Sequence, residues 1–392
     1  MDKAKPFSIP KREVWEAFKR VKANQGAAGV DGQSIADFEA NLAGNLYKLW
    51  NRLSSGSYFP PPVRRVDIPK ANGGTRPLGI PTVADRIAQE VVRRFLEPIL
   101  EPVFHDDSYG YRPGKSAIDA VGQARERCWR FDWVLDLDIK GYFDTIPHEA
   151  LMARVEAKVS DGRVLDLIRG WLTADILKGL ERWTPRLGSP QGSVVSPLLA
   201  NIYLDLLDAL MAERGYRMVR YADDFVILCR TREEADAALD LVRYWVRDNG
   251  LTLHPSKTHV GDCRQPGQGF EFLGYRFEAC LRLVRKKSLD KLKDSIRAKT
   301  GRNRGDSLAC VVADLNRVLR GWFGYFKQAR PSTFEALDKM IRRRLRSLLM
   351  KQNKLSHFGF GHSLHRRWPN AYFANAGLFA LHTAWQIARR SR

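Results

Sequence analysis

Apolar and polar positions follow two rhythms along this chain, one of period near 3.6 and one of period two. Residues 11–23 and 36–54 repeat apolar side chains at helical spacing and predict two amphipathic helices around the loop QGAAGVDG. After a proline-rich break at 58–62, residues 64–69 read as a strand and Asn72-Gly73-Gly74 as a hairpin turn. Helices are predicted near 84–100 and 116–130, in the 148–176 region, over LLANIYLDLLDALM, and over 233–249 with Asn249-Gly250 as the stop. Strand rhythm marks WVLDLDIKGYFD and RMVRYADDFVILC, the latter as runs at 218–221 and 225–229 around an Asp pair. Beyond Leu283 the pattern turns helical, with helices predicted over 288–300, 308–326 and 333–351. The third is expected to open on a capping box, because Glu335 stands three residues after Ser332.

Charge divides the chain in the same place. The 392 residues carry 65 Lys+Arg against 44 Asp+Glu, a net of +21. Residues 281–392 hold 26 of the basic and 6 of the acidic residues, leaving 39 against 38 for the rest. A solvated helical face would mix the signs, so the C-terminal excess predicts contact with phosphate. Arg342, Arg343, Arg344 and Arg346 are the densest part of it.

The cysteines, Cys128, Cys229, Cys263, Cys280 and Cys310, form no Cys-x-x-Cys pair, which argues against a zinc ribbon and for reduced thiols in a cytoplasmic setting. His357, His362 and His365 lack partners at ligand spacing, so RNA contact or plain surface fits them better than a metal. The N-terminus has no apolar signal core, and no run approaches the roughly 20 apolar residues of a membrane span.

Tyr221-Ala222-Asp223-Asp224 carries the most specific chemistry. Adjacent carboxylates at a hairpin tip repel unless water or a divalent cation holds them. Upstream, Asp136 and Asp138 share one face of a strand. Two acidic strands meeting in one sheet would form a candidate two-metal site for nucleotidyl transfer. Either motif alone is equally an ordinary polar hairpin or edge strand.

The surrounding blocks raise the specificity. RRVDIPKANGGTRPLGIPTVADRIAQ, SYGYRPGKSA, GSPQGSVVSPLLANIYLDLLD, GLTLHPSKT and FEFLGYRF flank the acidic motifs in that order. GWFGYFK at 321–327, IRRRLR at 341–346 and RRWPNAYF at 366–373 follow. These ordered blocks resemble the group II intron reverse transcriptase/maturase family over residues 20 to 385.

The resemblance implies an α+β right-hand polymerase fold: fingers, a palm with a mixed or antiparallel sheet, and an α-helical thumb/maturase domain. The expected divisions are 1–137, 138–283, 284–352 and a basic segment 353–392. It implies an RNA-directed DNA polymerase that also assists splicing of its intron RNA. Asp138, Asp223 and Asp224 match the catalytic carboxylates, with two Mg²⁺ ions as cofactor and the Ile139 carbonyl as a further ligand. Lys70, Arg76 and Gln191 would bind the incoming dNTP. Phe143, five residues after Asp138, would exclude a ribose 2′-hydroxyl; from sequence alone it is equally a core aromatic. Lys257, in His254-Pro255-Ser256-Lys257, matches a family block of less clear role. The implied partners are a structured RNA such as group II intron RNA, an RNA template with a DNA primer, and dNTPs, with no membrane. A C-terminal His-Asn-His endonuclease domain is not expected. Two rivals remain open: a non-catalytic splicing maturase, against which the intact carboxylates argue, and a host-adopted enzyme of defence or spacer capture.

Overall fold

The computed structural model describes residues 9–69, 73–279, 281–355 and 362–390. The chain forms two compact units, one of residues 1–123 and 135–260, the other of 124–134 and 261–392.

The first unit opens with α1 (Lys11–Asn24), α2 (Ile35–Ala40) and α3 (Leu42–Ser55). The single helix expected over 36–54 is thus two. Asn41 leaves helical geometry at φ −127°, ψ 52° and serves as C-cap of one and N-cap of the next. Ser34 and Asp37 form a capping box at the start of α2. Strands β1 (Val63–Pro69) and β2 (Thr75–Ile80) pair antiparallel, as expected for the predicted hairpin. Its predicted Asn72, and Lys70 with it, lie outside the described residues. Helix α4 (Val83–Leu100) is buried along most of its length, and α5 (Ala117–Cys128) follows.

Then come β3 (Trp133–Asp138), the short α6 (Tyr142–Thr145), α7 (His148–Glu156), α8 (Gly162–Leu172), β4 (Ile176–Lys178) and β5 (Glu181–Trp183). Helix α9 (Ser196–Glu213) is mostly apolar and buried along most of its length, with Asn201, Asp205 and Asp208 as polar residues within it. The acidic hairpin is β6 (Arg217–Tyr221) and β7 (Asp224–Cys229), followed by α10 (Arg232–Asp248) and β8 (His259–Asp262). One sheet has the order β2-β1-β4-β5, another β6-β7-β3-β8. The second places the acidic strand β3 directly beside β7, so the two acidic motifs meet in one sheet as the sequence predicts.

In the second unit, β9 (Phe270–Phe272), β10 (Tyr275–Glu278) and β11 (Leu281–Val284) form an antiparallel sheet of order β11-β10-β9. Helices α11 (Lys286–Lys299), α12 (Leu308–Phe326) and α13 (Pro331–Gln352) match the three predicted ones, and α14 (His362–Arg367), α15 (Asn370–Asn375) and α16 (Leu381–Arg390) complete the unit. Its core is aromatic: Phe270 stacks on Phe277 at 4.8 Å, Tyr275 meets Phe326 at 5.2 Å, and Phe323 meets Phe334 at 5.5 Å. The expected capping box of α13 is absent. The helix begins two residues earlier, with Arg330 at the N-cap, Pro331 in the first turn and no side-chain cap. Proline suits that position, since its ring fixes a helical φ and it lacks one of the N–H groups the first turn leaves unpaired.

Helix α13 also corrects the expected phosphate-binding face. Arg346 is buried, and it donates to Trp368 O at 2.9 Å and to Asn370 Oδ1 at 2.9 Å. Arg344 is half-buried and donates to Thr300 Oγ1 at 2.6 Å. These two arginines hold the unit together, and Asp338 does the same by accepting from Leu381 N and His382 N, both at 3.0 Å. Of the cluster, Arg343 is exposed and Arg342 half-buried.

Candidate active site

The acidic turn is built from below. Arg220 on β6 is fully buried and donates from Nε to Asp208 Oδ1 of α9 at 2.8 Å. Its Nη1 donates to Asn201 Oδ1 and to the carbonyl of Ala222, each at 3.0 Å. The guanidinium therefore holds the turn at Ala222, which adopts a left-handed backbone with φ 60°. Burial works against the charge of Arg220, but Asp208 more than offsets it, and the guanidinium pKa lies above its ordinary value.

The SYGYRP block lies along the same turn. Tyr109 N donates to Arg220 O at 2.8 Å, and Asn201 Nδ2 to Gly110 O at 2.8 Å. A Cβ at Gly110 would come within 2.3 Å of Ala222 N, so only glycine permits this approach. Tyr111 is brought to 6.3 Å from Tyr221, ring to ring. Burial, and then the charge of Asp223, raise the Tyr111 pKa, which places its phenol beside that carboxylate.

Asp138, at the end of β3, and Asp223, in the turn between β6 and β7, belong to neighbouring strands of one sheet. Burial pushes the Asp223 carboxyl above the usual range, a local backbone hydrogen bond pulls it back, and the charge of Asp138 raises it further. Arg76 and Lys257 oppose that rise, so both cations lie within electrostatic reach. The Lys257 ammonium donates directly to Asp138 Oδ2. Asp224 instead enters the β7 ladder opposite Tyr221. Among the described residues no group of three His, Cys, Asp or Glu is gathered for a metal, so the three acids do not stand as a ready-made cluster. Two coupled carboxylates nonetheless suit Mg²⁺, which is held by one or two carboxylates with substrate phosphates and water completing its shell. At Ile139 the bridge to Leu253 runs through Lys140 N to Thr252 O and His254 N to Asp138 O. Neither bond uses the Ile139 carbonyl.

Across the site, Arg76 Nε donates to Gln191 Oε1 at 2.7 Å, and Gln191 Nε2 to Asp144 Oδ2 at 3.1 Å. Gly192 has φ 108°, and a Cβ there would meet Gly79 O at 2.4 Å, so the SPQG loop lies against β2. A buried relay fixes that loop. Asp85 accepts from Tyr58 Oη at 2.7 Å, Trp171 Nε1 at 2.8 Å and Gln89 Nε2 at 2.9 Å. Gln89 Oε1 in turn accepts from Ser193 Oγ at 2.6 Å and Val194 N at 2.7 Å. Phe143 is buried on α6, edge-on to Tyr142 at 5.6 Å.

The geometry thus unites Arg76, Asp138, Gln191, Asp223 and Lys257 in one unit. It adds Asp144, Tyr111, Arg220 and Asp208, which sequence reasoning missed. Arg220 and Asp208 had a signal, being charged residues inside apolar runs.

Acidic strands joined in one sheet, with a cationic hairpin across from them, define a nucleotidyl-transferring palm. The family model "Reverse transcriptase (RNA-dependent DNA polymerase)" matches residues 68–277, and "Group II intron, maturase-specific domain" matches residues 289–368. Protein YkfC of Escherichia coli (strain K12) is 36% identical over 326 residues, 70% of this chain and 80% of that protein. Group II intron-encoded protein LtrA of Lactococcus lactis subsp. cremoris is 38% identical over 200 residues, 50% of this chain and 33% of that protein. The chain therefore spans most of one relative and about a third of the other. Among solved structures, telomerase from Candida albicans, in complex with a TWJ fragment of telomeric RNA, aligns with 83% of this chain and 67% of its own at a TM-score of 0.46 and 12% identity. This chain belongs to the reverse transcriptase (RNA-dependent DNA polymerase) family and carries the maturase-specific domain of group II introns. It is an RNA-directed DNA polymerase of the intron-encoded reverse transcriptase/maturase kind. Reverse transcriptases generally use divalent metal ions, and the maturase domain marks RNA as a partner. No helix among the described residues is long and apolar enough to cross a membrane.

Proposed function

We propose that the first unit extends a DNA primer on an RNA template with dNTPs at Asp138 and Asp223, and that the second binds structured RNA, of which group II intron RNA is the expected form. The observation that carries the reading is the placement of β3 beside β7 in one sheet, which brings Asp138 and Asp223, far apart in sequence, onto neighbouring strand ends with Lys257 bonded to Asp138. Asp138 and Asp223 would hold two Mg²⁺ ions, with Asp224 shaping the turn and the Ile139 carbonyl as a further oxygen ligand; when bound, these ions supply activation of the primer 3′-hydroxyl and charge neutralisation at the triphosphate.

The protein's own groups do the rest. Arg76 would offset the charge of the triphosphate, with Lys70 expected opposite it. Gln191, held by Arg76 and Asp144, would meet the sugar and base of the incoming nucleotide. The wall at Phe143 would exclude a ribose 2′-hydroxyl. Arg342 and Arg343 are the part of the arginine cluster left to meet phosphate.

Single-nucleotide extension of a DNA primer on an RNA template tests this with dNTPs and rNTPs in parallel. Wild type should take dNTPs, and Phe143→Val should raise the rNTP-to-dNTP ratio by roughly tenfold or more, the scale on which a pocket discriminates by shape. A wild type that extends with neither substrate, or a ratio unmoved by the substitution, contradicts the assignment.

A further inference from the structure

The second unit contains a cavity of about 540 Å³ away from every residue assigned above. That is within the roughly 300–1,000 Å³ of sites that enclose a small molecule. Its walls come from the end of α5, the β11 strand, the loop before α13 and the last turns of α16. Two tryptophans line it, Trp129 and Trp385, each with an arginine over its ring: Arg125 at 4.3 Å from Trp129 and Arg389 at 5.5 Å from Trp385. Arg282 and Arg330 line it as well, and no Asp or Glu does. Among the described residues, Arg125, Arg330 and Arg389 make no ion pair. Arginines gathered in one cavity without a carboxylate make it a site suited to an anion.

We propose that this cavity binds one unstacked nucleotide of an RNA strand, base against tryptophan and phosphate against arginine. The chemistry selects this ligand class. The exposed Trp129 ring takes a nucleobase of any sequence, while Trp385 already stacks on His382 at 6.0 Å and bounds the cavity, and arginine forks match phosphate oxygens. A simple anion would use the arginines but not the tryptophans, and an apolar ligand the reverse. RNA is read chiefly at bulges and loops, where single bases are free to be splayed out and stacked on aromatic rings or guanidinium planes. Trp129 is 55% exposed, so its ring is open to such a base. The inference rests on reading the second unit as an RNA-binding maturase domain, and it adds a discrete subsite to what would otherwise be diffuse phosphate contact.

The test uses the full chain and two labelled RNA hairpins, one fully paired and one identical except for a single bulged nucleotide. Fluorescence anisotropy gives the affinity for each, and the ratio of the two is the readout. Wild type should favour the bulged hairpin by roughly fivefold or more, the lower end of one base stacked on an aromatic ring. Trp129→Ala, Trp385→Ala and Arg330→Gln should each bring that ratio toward one, while Trp385→Phe should keep most of it. An equal affinity of wild type for both hairpins overturns the subsite and leaves general RNA binding intact. Failure to bind either hairpin overturns the RNA-binding reading itself. Both affinities falling together, with the ratio unchanged, overturns the subsite as well, because the variants then act only on the fold. Adenosine 5′-monophosphate that competes as well as the bulged hairpin, nucleotide for nucleotide, would assign the cavity to a free nucleotide and overturn the strand assignment.

Discussion

Arg220 and Asp208 form an enclosed ion pair directly beneath the acidic turn, and the same guanidinium reaches the carbonyl of Ala222. The pair links the long buried helix α9 to the acidic hairpin, so the turn is held by the core. Removing one partner of a buried pair leaves an uncompensated charge and costs about 3–5 kcal/mol. Asp208→Asn and Arg220→Met should therefore lower stability by about that amount, measured by denaturant unfolding. Arg220→Lys keeps the charge but lacks the fork that spans Asp208, Asn201 and Ala222. It should lose less stability than Arg220→Met while still losing primer extension, because the turn is no longer fixed.

Lys257 pairs with Asp138, one of the two carboxylates proposed to hold metal. Its side chain is 57% exposed, so the pair is worth no more than about 1 kcal/mol. Metal binding at Asp138 must displace or share that contact. Lys257→Met should lower the Mg²⁺ concentration for half-maximal extension by about two- to fivefold, read from a Mg²⁺ titration. A raised requirement would mean that Lys257 assists the metal and does not compete with it.

Asp85 gives a pH dependence of stability. Burial raises its carboxyl to about 6, while Trp171, Tyr58 and Gln89 donate to it and pull the other way. The unfolded chain should titrate this group near 3.8, so the folded state binds the proton more tightly between those values. The resulting stabilisation is full below about 4 and is lost as pH rises through about 6, a difference of about 3 kcal/mol. In Asp85→Asn the part of the stability–pH slope that falls between pH 4 and 6 should disappear, measured as unfolding free energy across that range.

The arginine cluster of α13 should divide by burial. Arg346→Ala leaves Trp368 O and Asn370 without their donor, and should cost about 1–3 kcal/mol of stability in the second unit. Arg343→Ala should leave stability unchanged and reduce the log–log salt slope of RNA binding by about 0.7 to 0.9. Unfolding curves and salt titrations of the two variants separate these effects.

Much of this architecture was legible because it is local. Long amphipathic runs placed α1, α4, α10 and α12 to within a residue or two, a long apolar run placed α9, and the β-prone runs around Asp223 gave the hairpin. Strands β4, β5 and β9 are only three residues long, too short for periodicity to mark, and they exist through their partners. The small helices α14 to α16 likewise depend on tertiary anchors, such as Asp338 at the start of α16. At the site, ordered motifs pointed to Asp138, Asp223, Arg76 and Gln191. Asp144 and Tyr111 acquire their places only when distant loops close on the turn. The arginine cluster misled because sequence density says nothing of which side chains turn inward, and Arg346 does.

The central claim is that Asp138 and Asp223 together form the nucleotidyl-transfer site. Single-turnover extension of a DNA primer on an RNA template, with Mg²⁺ and dNTPs, tests it in Asp138→Asn and Asp223→Asn. Each substitution keeps the side-chain volume and removes the charge. Both variants should retain RNA binding and lose extension by at least about 10²–10³-fold, the scale of losing a preorganised electrostatic group from an active site. Undiminished synthesis by either variant would contradict the site.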